Sequence, residues 1–271
     1  MLKVKILDIW TANNSCYGTK KVRNELLKEY AKNPNTASKT IAFHRVRRLM
    51  REIGISGIVT KKYHKPAKTD DSGLKKNLLD QNFYPLSKNK SWCSDITYIR
   101  VNGSWHYLTI IMDLFSRKVV GWNLSSSLKA EKTIIPALKM AYKARGCVSG
   151  IIIHSDQGCQ YTCKSYLDTL TSMQLIASYS KKGYPYDNAP LESFNSIIKR
   201  ERINRDFYYN LTQAQNTLFE YIEGFYNTKR QHSSLGNRSP EEFEKDAENS
   251  TIPLAPFRAS PKRNKRNKQR N

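Results

Sequence analysis

The sequence contains no apolar run near the ~20 residues that a membrane-spanning helix requires, and no apolar leader followed by a small-residue cleavage site is visible at its start. Membrane insertion and secretion are therefore not expected. Cysteine is scarce and scattered: Cys16, Cys93, Cys147, Cys159 and Cys163, without a C-x2-C pair. An odd, unpatterned set is no disulfide framework and reads as reduced thiols. The five histidines show no H-x3-H spacing, which argues against a zinc finger. No G-x-S-x-G elbow and no Walker A loop occurs, so neither a hydrolase serine nor a P-loop is on offer. Acid is the other shortage. There are 23 Asp and Glu against 46 Lys and Arg, a net charge of +23 over 271 residues. Such an excess points to a polyanionic partner, nucleic acid first. Hydrophobic residues at 39% and aromatics at 11% still suffice for a packed core, which excludes wholesale disorder.

Residues 1–58 read as a small, basic, helical, helix-turn-helix-like DNA-binding region. Ile6, Trp10, Val22, Leu26 and Leu27 fall at helical spacing, broken at Tyr17-Gly18. Ile41, Val46, Leu49, Met50 and Ile53 share one side of a later helix that also carries Arg45 and Arg48, and Gly54 ends it. Residues 59–90 read as a linker. Residues 91–245 form the main domain. Two β-branched and aromatic runs, 91–101 and 104–113, flank Asn102-Gly103, a strong hairpin signal. A third strand is expected at 118–124, a helix at 129–145, a buried strand at 150–154, a helix at 163–173, a short strand at 175–178, and helices near 188–203 and 212–227. Trp92, Trp105 and Trp122 are expected in the core. This order predicts an α/β fold with a mixed five-stranded sheet flanked by helices. Residues 246–271 read as a basic disordered tail, with seven Lys or Arg from Arg258 onward.

Three carboxylates stand out by position. Asp95 lies inside the first strand, where an uncompensated charge is costly. Asp156 ends the fourth strand, at the edge where α/β sites gather. Glu192 lies in the first turn of a helix announced by Asn188, a plausible N-cap, and Pro190. Two Asp and one Glu suit Mg²⁺, with Mn²⁺ as a substitute. Two such ions about 4 Å apart can drive phosphoryl transfer without a covalent nucleophile. Lys199, nearly two turns beyond Glu192, shares its face. Lys199 and Arg200, Lys181 and Lys182 in a loop, and Arg45 and Arg48 are candidate DNA-binding residues. Asp113 and Asp187 read first as turn or cap residues and second as metal ligands. His154 reads as a core histidine or a neighbour of the metals. Tyr226, Arg230 and His232 read first as packing.

The motifs Trp-Cys-Ser-Asp-Ile-Thr-Tyr-Ile at 92–99, Asp-Leu-Phe-Ser-Arg at 113–117, His-Ser-Asp-Gln-Gly-Cys-Gln-Tyr at 154–161, Gly-Tyr-Pro-Tyr-Asp-Asn-Ala at 183–189 and Glu-Ser-Phe at 192–194 resemble those of the second-reading-frame transposases of the insertion-sequence-three family. The catalytic core of that family is shared with retroviral integrases. The resemblance implies an RNase H-like core and a D-D-E triad of Asp95, Asp156 and Glu192 that holds two Mg²⁺. It implies strand cleavage and strand transfer at the terminal inverted repeats of a bacterial insertion sequence, target DNA as the second substrate, and action in the cytoplasm on the nucleoid. Joining two ends predicts a homo-multimer on DNA. The family also implies fusion to an upstream first-frame product. The rival expectation is a non-catalytic DNA-binding repressor derived from such a transposase.

Overall fold

The computed structural model describes residues 1–33, 40–58, 76–181 and 185–250. Three short helices come first: α1 (Leu2–Ala12), α2 (Thr19–Lys32) and α3 (Phe43–Glu52). The sheet follows with β1 (Ser91–Val101), β2 (Ser104–Asp113) and β3 (Val119–Ser125). Then come α4 (Ile134–Ala144), β4 (Ile152–Ser155), α5 (Cys159–Thr162), α6 (Lys164–Ser172) and β5 (Ile176–Tyr179). The last described elements are α7 (Ala189–Glu201), α8 (Leu211–Tyr221), a π-helical turn over Ile222–Tyr226, and α9 (Pro240–Asn249).

The sheet is mixed, in the order β3-β2-β1-β4-β5. β1 pairs antiparallel with β2 from Trp92↔Asp113 to Val101↔Ser104, and parallel with β4 from Ser91↔Ile152 to Cys93↔His154. The turn that sets the hairpin register has Asn102 at φ 45° and Gly103 at φ 75°, the left-handed pair that a tight two-residue hairpin requires. The expected mixed five-stranded sheet is the one observed.

Strand alternation gives each face of the sheet its own core. Trp92, Ile111 and Val120 pack against Leu138 of α4 and Tyr166 and Leu170 of α6. On the other face, Cys93, Ile99, Leu108 and Ile110 join Phe194 and Ile198 of α7 and Leu218 of α8. That second core continues without a break into Ile6, Tyr17, Val22 and Val46 of the first three helices. Polar contacts reinforce the junction: the Tyr17 hydroxyl accepts from the Gln231 amide at 2.9 Å, and Arg205 donates to the Asn14 carbonyl at 2.8 Å.

Within the stretch read as a linker, residues 76–90 lie against the sheet edge. The amides of Leu78 and Leu79 donate to Ser178 Oγ at 2.9 and 3.2 Å, and the Ile152 amide donates to the Lys90 carbonyl at 3.1 Å. α9 runs on to Asn249, across the position where the basic tail was expected to begin. A capping box between Ser239 and Glu242 starts it. Residues 251–271, most of that expected tail, lie outside the described residues, as does most of the expected linker.

One core expectation fails. Trp92 is buried and Trp122 partly so, but Trp105 is 53% exposed. Beyond Cys93, among the described residues, β1 has only β2 as a strand neighbour. The face of this extension that bears Trp105 and Tyr98 stays open, and the Arg100 guanidinium stacks 4.7 Å from the Trp105 ring. Among the described residues no helix is long and apolar enough to cross a membrane.

Candidate active site

Asp95 is the fifth residue of β1, and its side chain faces α7. Its Oδ2 accepts from Asn195 Nδ2 at 2.8 Å, and its Oδ1 accepts from the Ile96 amide at 2.9 Å. Burial pushes its carboxyl up to about 7, against the hydrogen bond from Ile96, and the negative charges of Asp156 and Glu192 push it further in the same direction.

Asp156 follows the last residue of β4. The parallel register Cys93↔His154 brings it level with Asp95. Its Oδ1 accepts from the Gly158 amide at 2.9 Å. A Cβ at position 158 would sit 3.0 Å from that oxygen, so the turn fits glycine and crowds larger residues. Glu192 lies exposed in the first turn of α7, and its partial burial raises its carboxyl. Asn188 occupies the N-cap position of α7, but its side chain makes no capping hydrogen bond, contrary to expectation; Pro190 opens the helix as expected.

Asp95 and Asp156 thus lie level on neighbouring strands, and Asp95 feels the negative charges of Asp156 and Glu192. Among the described residues no three His, Cys, Asp or Glu side chains gather closely enough to hold a metal ion as they stand, and no Lys or Arg forms an ion pair with any of the three. An all-oxygen donor set with uncompensated negative charge fits a hard divalent cation.

The acids read first as structural do have partners. Asp113, fully buried, accepts from the Asn89 and Phe115 amides at 2.9 and 3.0 Å. Its ion partner is Arg145 at 3.5 Å, while Arg117 donates to the Phe83 carbonyl instead. Asp187 is buried and accepts from Asn77 Nδ2, Gln81 Nε2 and the Lys181 amide at 2.9, 2.9 and 3.0 Å. It ties the start of α7 to residues 77–81. His154 is buried with Nδ1 2.9 Å from Ser178 Oγ, and burial pushes it down to about 4. It is a core histidine.

Lys199 is half-buried in the last turn of α7, and Arg200 donates through Nε to the Ser196 carbonyl at 2.8 Å. Lys181 is exposed. Arg45 and Arg48 lie on α3, apart from the carboxylates, and Arg48 Nε stands 3.5 Å from Glu52. Lys182 lies outside the described residues. Sequence reasoning missed Asn195. Its signal was present: it sits three residues past Glu192, one turn along the same helical stripe.

Comparison with known proteins shows the family of the chain. A family model described as an integrase core domain matches residues 85–185, a second of the same description matches 173–240, and an HTH-like domain model matches 1–63. The transposase for insertion sequence element IS904 of Lactococcus lactis is 39% identical over 202 residues, 74% of this chain and 79% of that protein. The transposase InsF for insertion sequence IS3A of Escherichia coli is 35% identical over 242 residues, 88% of this chain and 80% of the relative. Among solved structures, a chain of the simian T-cell lymphotropic virus intasome in complex with PP2A regulatory subunit B56 gamma superposes with a TM-score of 0.51 at 15% identity, covering 82% of this chain and 72% of the other. That likeness concerns the fold alone.

Proposed function

The chain belongs to the transposases of the IS3 family of insertion sequences, enzymes of DNA transposition with an integrase core, and we propose that it cleaves and joins DNA strands with Asp95, Asp156 and Glu192. One observation carries this reading. Asp95 and Asp156 lie level on neighbouring strands, Glu192 sits on the helix whose Asn195 binds Asp95, none of the three has an ion-pair partner among the described residues, and the most buried of them, Asp95, is pushed up to about 7. Two Mg²⁺ ions, which Asp95, Asp156 and Glu192 would hold, would neutralise these oxygens and supply Lewis-acid chemistry to the phosphodiester.

The chain's own residues position the reaction. Asn195 fixes the rotamer of Asp95, the Gly158 amide fixes that of Asp156, and Asp187 anchors the start of the helix that carries Glu192. In the first step the oxygen of a water bonds to phosphorus, the flanking strand leaves, and a 3′-hydroxyl is freed on the element. In the second, that hydroxyl oxygen bonds to a phosphorus of target DNA, and the strand on the far side of that phosphorus leaves with its own 3′-hydroxyl. Lys199 and Arg200 in the last turn of α7, Lys181 and Lys182 in the sequence before it, and Arg45 and Arg48 on α3 supply charge for backbone phosphates. Joining two ends calls for a homo-multimer on DNA.

The test is Mn²⁺-dependent nicking of supercoiled plasmid by the purified chain beside Asp156→Asn. Nicking by the wild type that the substitution abolishes, with DNA binding retained, is the expected result. DNA binding without nicking by either protein overturns catalysis by this chain alone and favours the repressor; the same assay on a fusion to the upstream frame then checks whether that segment restores nicking.

A further inference from the structure

α7 presents two neighbouring stripes. Glu192, Asn195 and Lys199 lie on one. Ser193, Ser196 and Arg200, each one residue later and about 100° further round, lie on the other. The second stripe forms one wall of a cleft of about 670 Å³ whose opposite wall is the start of α2, with Lys20 and Lys21. A second cleft, about 550 Å³, runs from the same Gly18 and Thr19 along α3, where Arg47 and Arg51 line it.

Charge in this depression is one-sided. Glu201 is the acid on its wall, and it is spent on Arg230, with bonds of 2.7 and 2.8 Å. Lys20, Arg47, Arg51 and Arg200 have no carboxylate partner among the described residues, whereas Arg48 on the same helix as Arg47 pairs with Glu52. Burial first, and then the Arg230 charge, hold the Lys21 ammonium down to about 8. Thr19, Ser193 and Ser196 add hydroxyl groups.

We infer that the two clefts form one groove for the phosphodiester backbone of the duplex whose end lies at the carboxylates. The strand crosses α7 at Arg200, passes Lys20 and Lys21, and reaches Arg47 and Arg51. The groove rests on the proposed DNA-cleaving function and adds its path: the helix that carries Glu192 is also the near wall of the channel to the N-terminal helices. It adds Arg47 and Arg51 of α3 as groove residues beside the Arg45 and Arg48 proposed for phosphate contact.

The test uses the full chain in EDTA and a blunt 30-base-pair duplex, with binding followed by fluorescence anisotropy across a salt series. Lys20→Ala/Arg200→Ala removes two groove cations, and Lys20→Gln/Arg200→Gln repeats the loss with polar side chains in case the alanine pair melts early. Lys139→Ala/Lys143→Ala removes two exposed cations of α4, on the opposite face of the sheet. If each groove cation meets one phosphate, the log–log salt slope becomes shallower by about 2 and binding weakens about tenfold, since each neutralised phosphate contributes roughly 0.9 to the slope. Arg47→Ala/Arg51→Ala produces a further loss of the same kind. Groove variants that lose no more than the α4 pair overturn the groove and leave the catalytic reading intact. A wild-type chain that does not bind the duplex overturns both.

Discussion

Two sets of carboxylates in this chain are treated in opposite ways. Asp113 and Glu244 gather round Arg145, and Ser116 donates to Glu244 at 2.6 Å. Glu201 receives two bonds from Arg230 and one from the Tyr221 hydroxyl at 2.8 Å. Against the burial that would raise them, the bonds from the arginines bring Glu201 and Glu244 below the usual carboxylate range. Asp95, Asp156 and Glu192 receive, among the described residues, one amide side chain and two backbone N–H groups between them. Asp113, Glu201 and Glu244, which hold the fold together, are each matched by an arginine. Acids left unmatched cost stability, and their negative charge is available to something the chain does not itself contain.

The comparison breaks most sharply by neutralising one acid from the unmatched set. Asp95→Asn or Asp156→Asn is expected to lower plasmid nicking by at least about 10³-fold, the scale seen when one member of a concerted catalytic unit is lost. The same change should leave the metal-free melting temperature equal or higher, because it removes repulsion. Nicking assays and thermal melts on the same preparations check both halves. A clear fall in melting temperature would place these acids with the structural set.

In the matched set the expectation reverses. Glu201→Ala leaves Arg230 buried and unpaired, which costs about 3–5 kcal/mol. Urea denaturation should show that loss. Arg230→Met on top of Glu201→Ala should recover part of it, since no buried charge then remains. Because Glu201 ends α7 and Arg230 lies beside Gln231, which contacts Tyr17, the loss should also loosen the N-terminal helices from the core.

Asn195→Ala probes the hydrogen bond that aims an unmatched acid. A tenfold to hundredfold fall in nicking is expected, the usual size for a group that orients a metal ligand. The Mn²⁺ concentration for half-maximal nicking should rise with it, while the melting temperature stays within a degree or two. An unchanged Mn²⁺ requirement would show that Asp95 holds its orientation without Asn195.

Much of this contrast was legible in sequence. The β-branched runs and the Asn102-Gly103 turn carried the hairpin with its register, because both are local signals. Asp95 was singled out as a charge inside a strand, Asp156 as the end of one and Glu192 as an acid at a helix start. The matching was not legible. Arg145 with Glu244, Arg230 with Glu201, and Tyr17 with Gln231 join residues far apart in the chain, and no periodicity reports such pairs. Trp105 was misplaced because a strand's pattern cannot show where its covering helix stops. Ser239-Pro240-Glu241-Glu242 is a capping signal that was present and unused, so α9 and its Phe243, 5.1 Å from Phe115, appeared only in the structure.

The smallest expected effect tests the same rule for positive charge. Arg230 is tolerated because Glu201 answers it. His232, two residues on, has only Ser234 Oγ at 2.9 Å from its Nδ1. Burial first, and then the charges of Arg230, Arg117 and Lys21, push its imidazole from the ordinary 6.5 down to about 3. The folded chain therefore keeps His232 neutral across the interval from pH 6.5 to 3, where the unfolded chain protonates it. The unfolded state binds more protons there, so stability falls as pH falls through that interval, by roughly 1–2 kcal/mol on going from pH 7 to pH 5. His232→Gln removes the titrating group and should flatten this part of the pH–stability curve, with the difference between the two proteins vanishing above pH 7.5 apart from a constant offset. A variant whose acid sensitivity matches that of the wild type would show that His232 is paired or solvated well enough to carry a third positive charge beside Arg230 and Lys21.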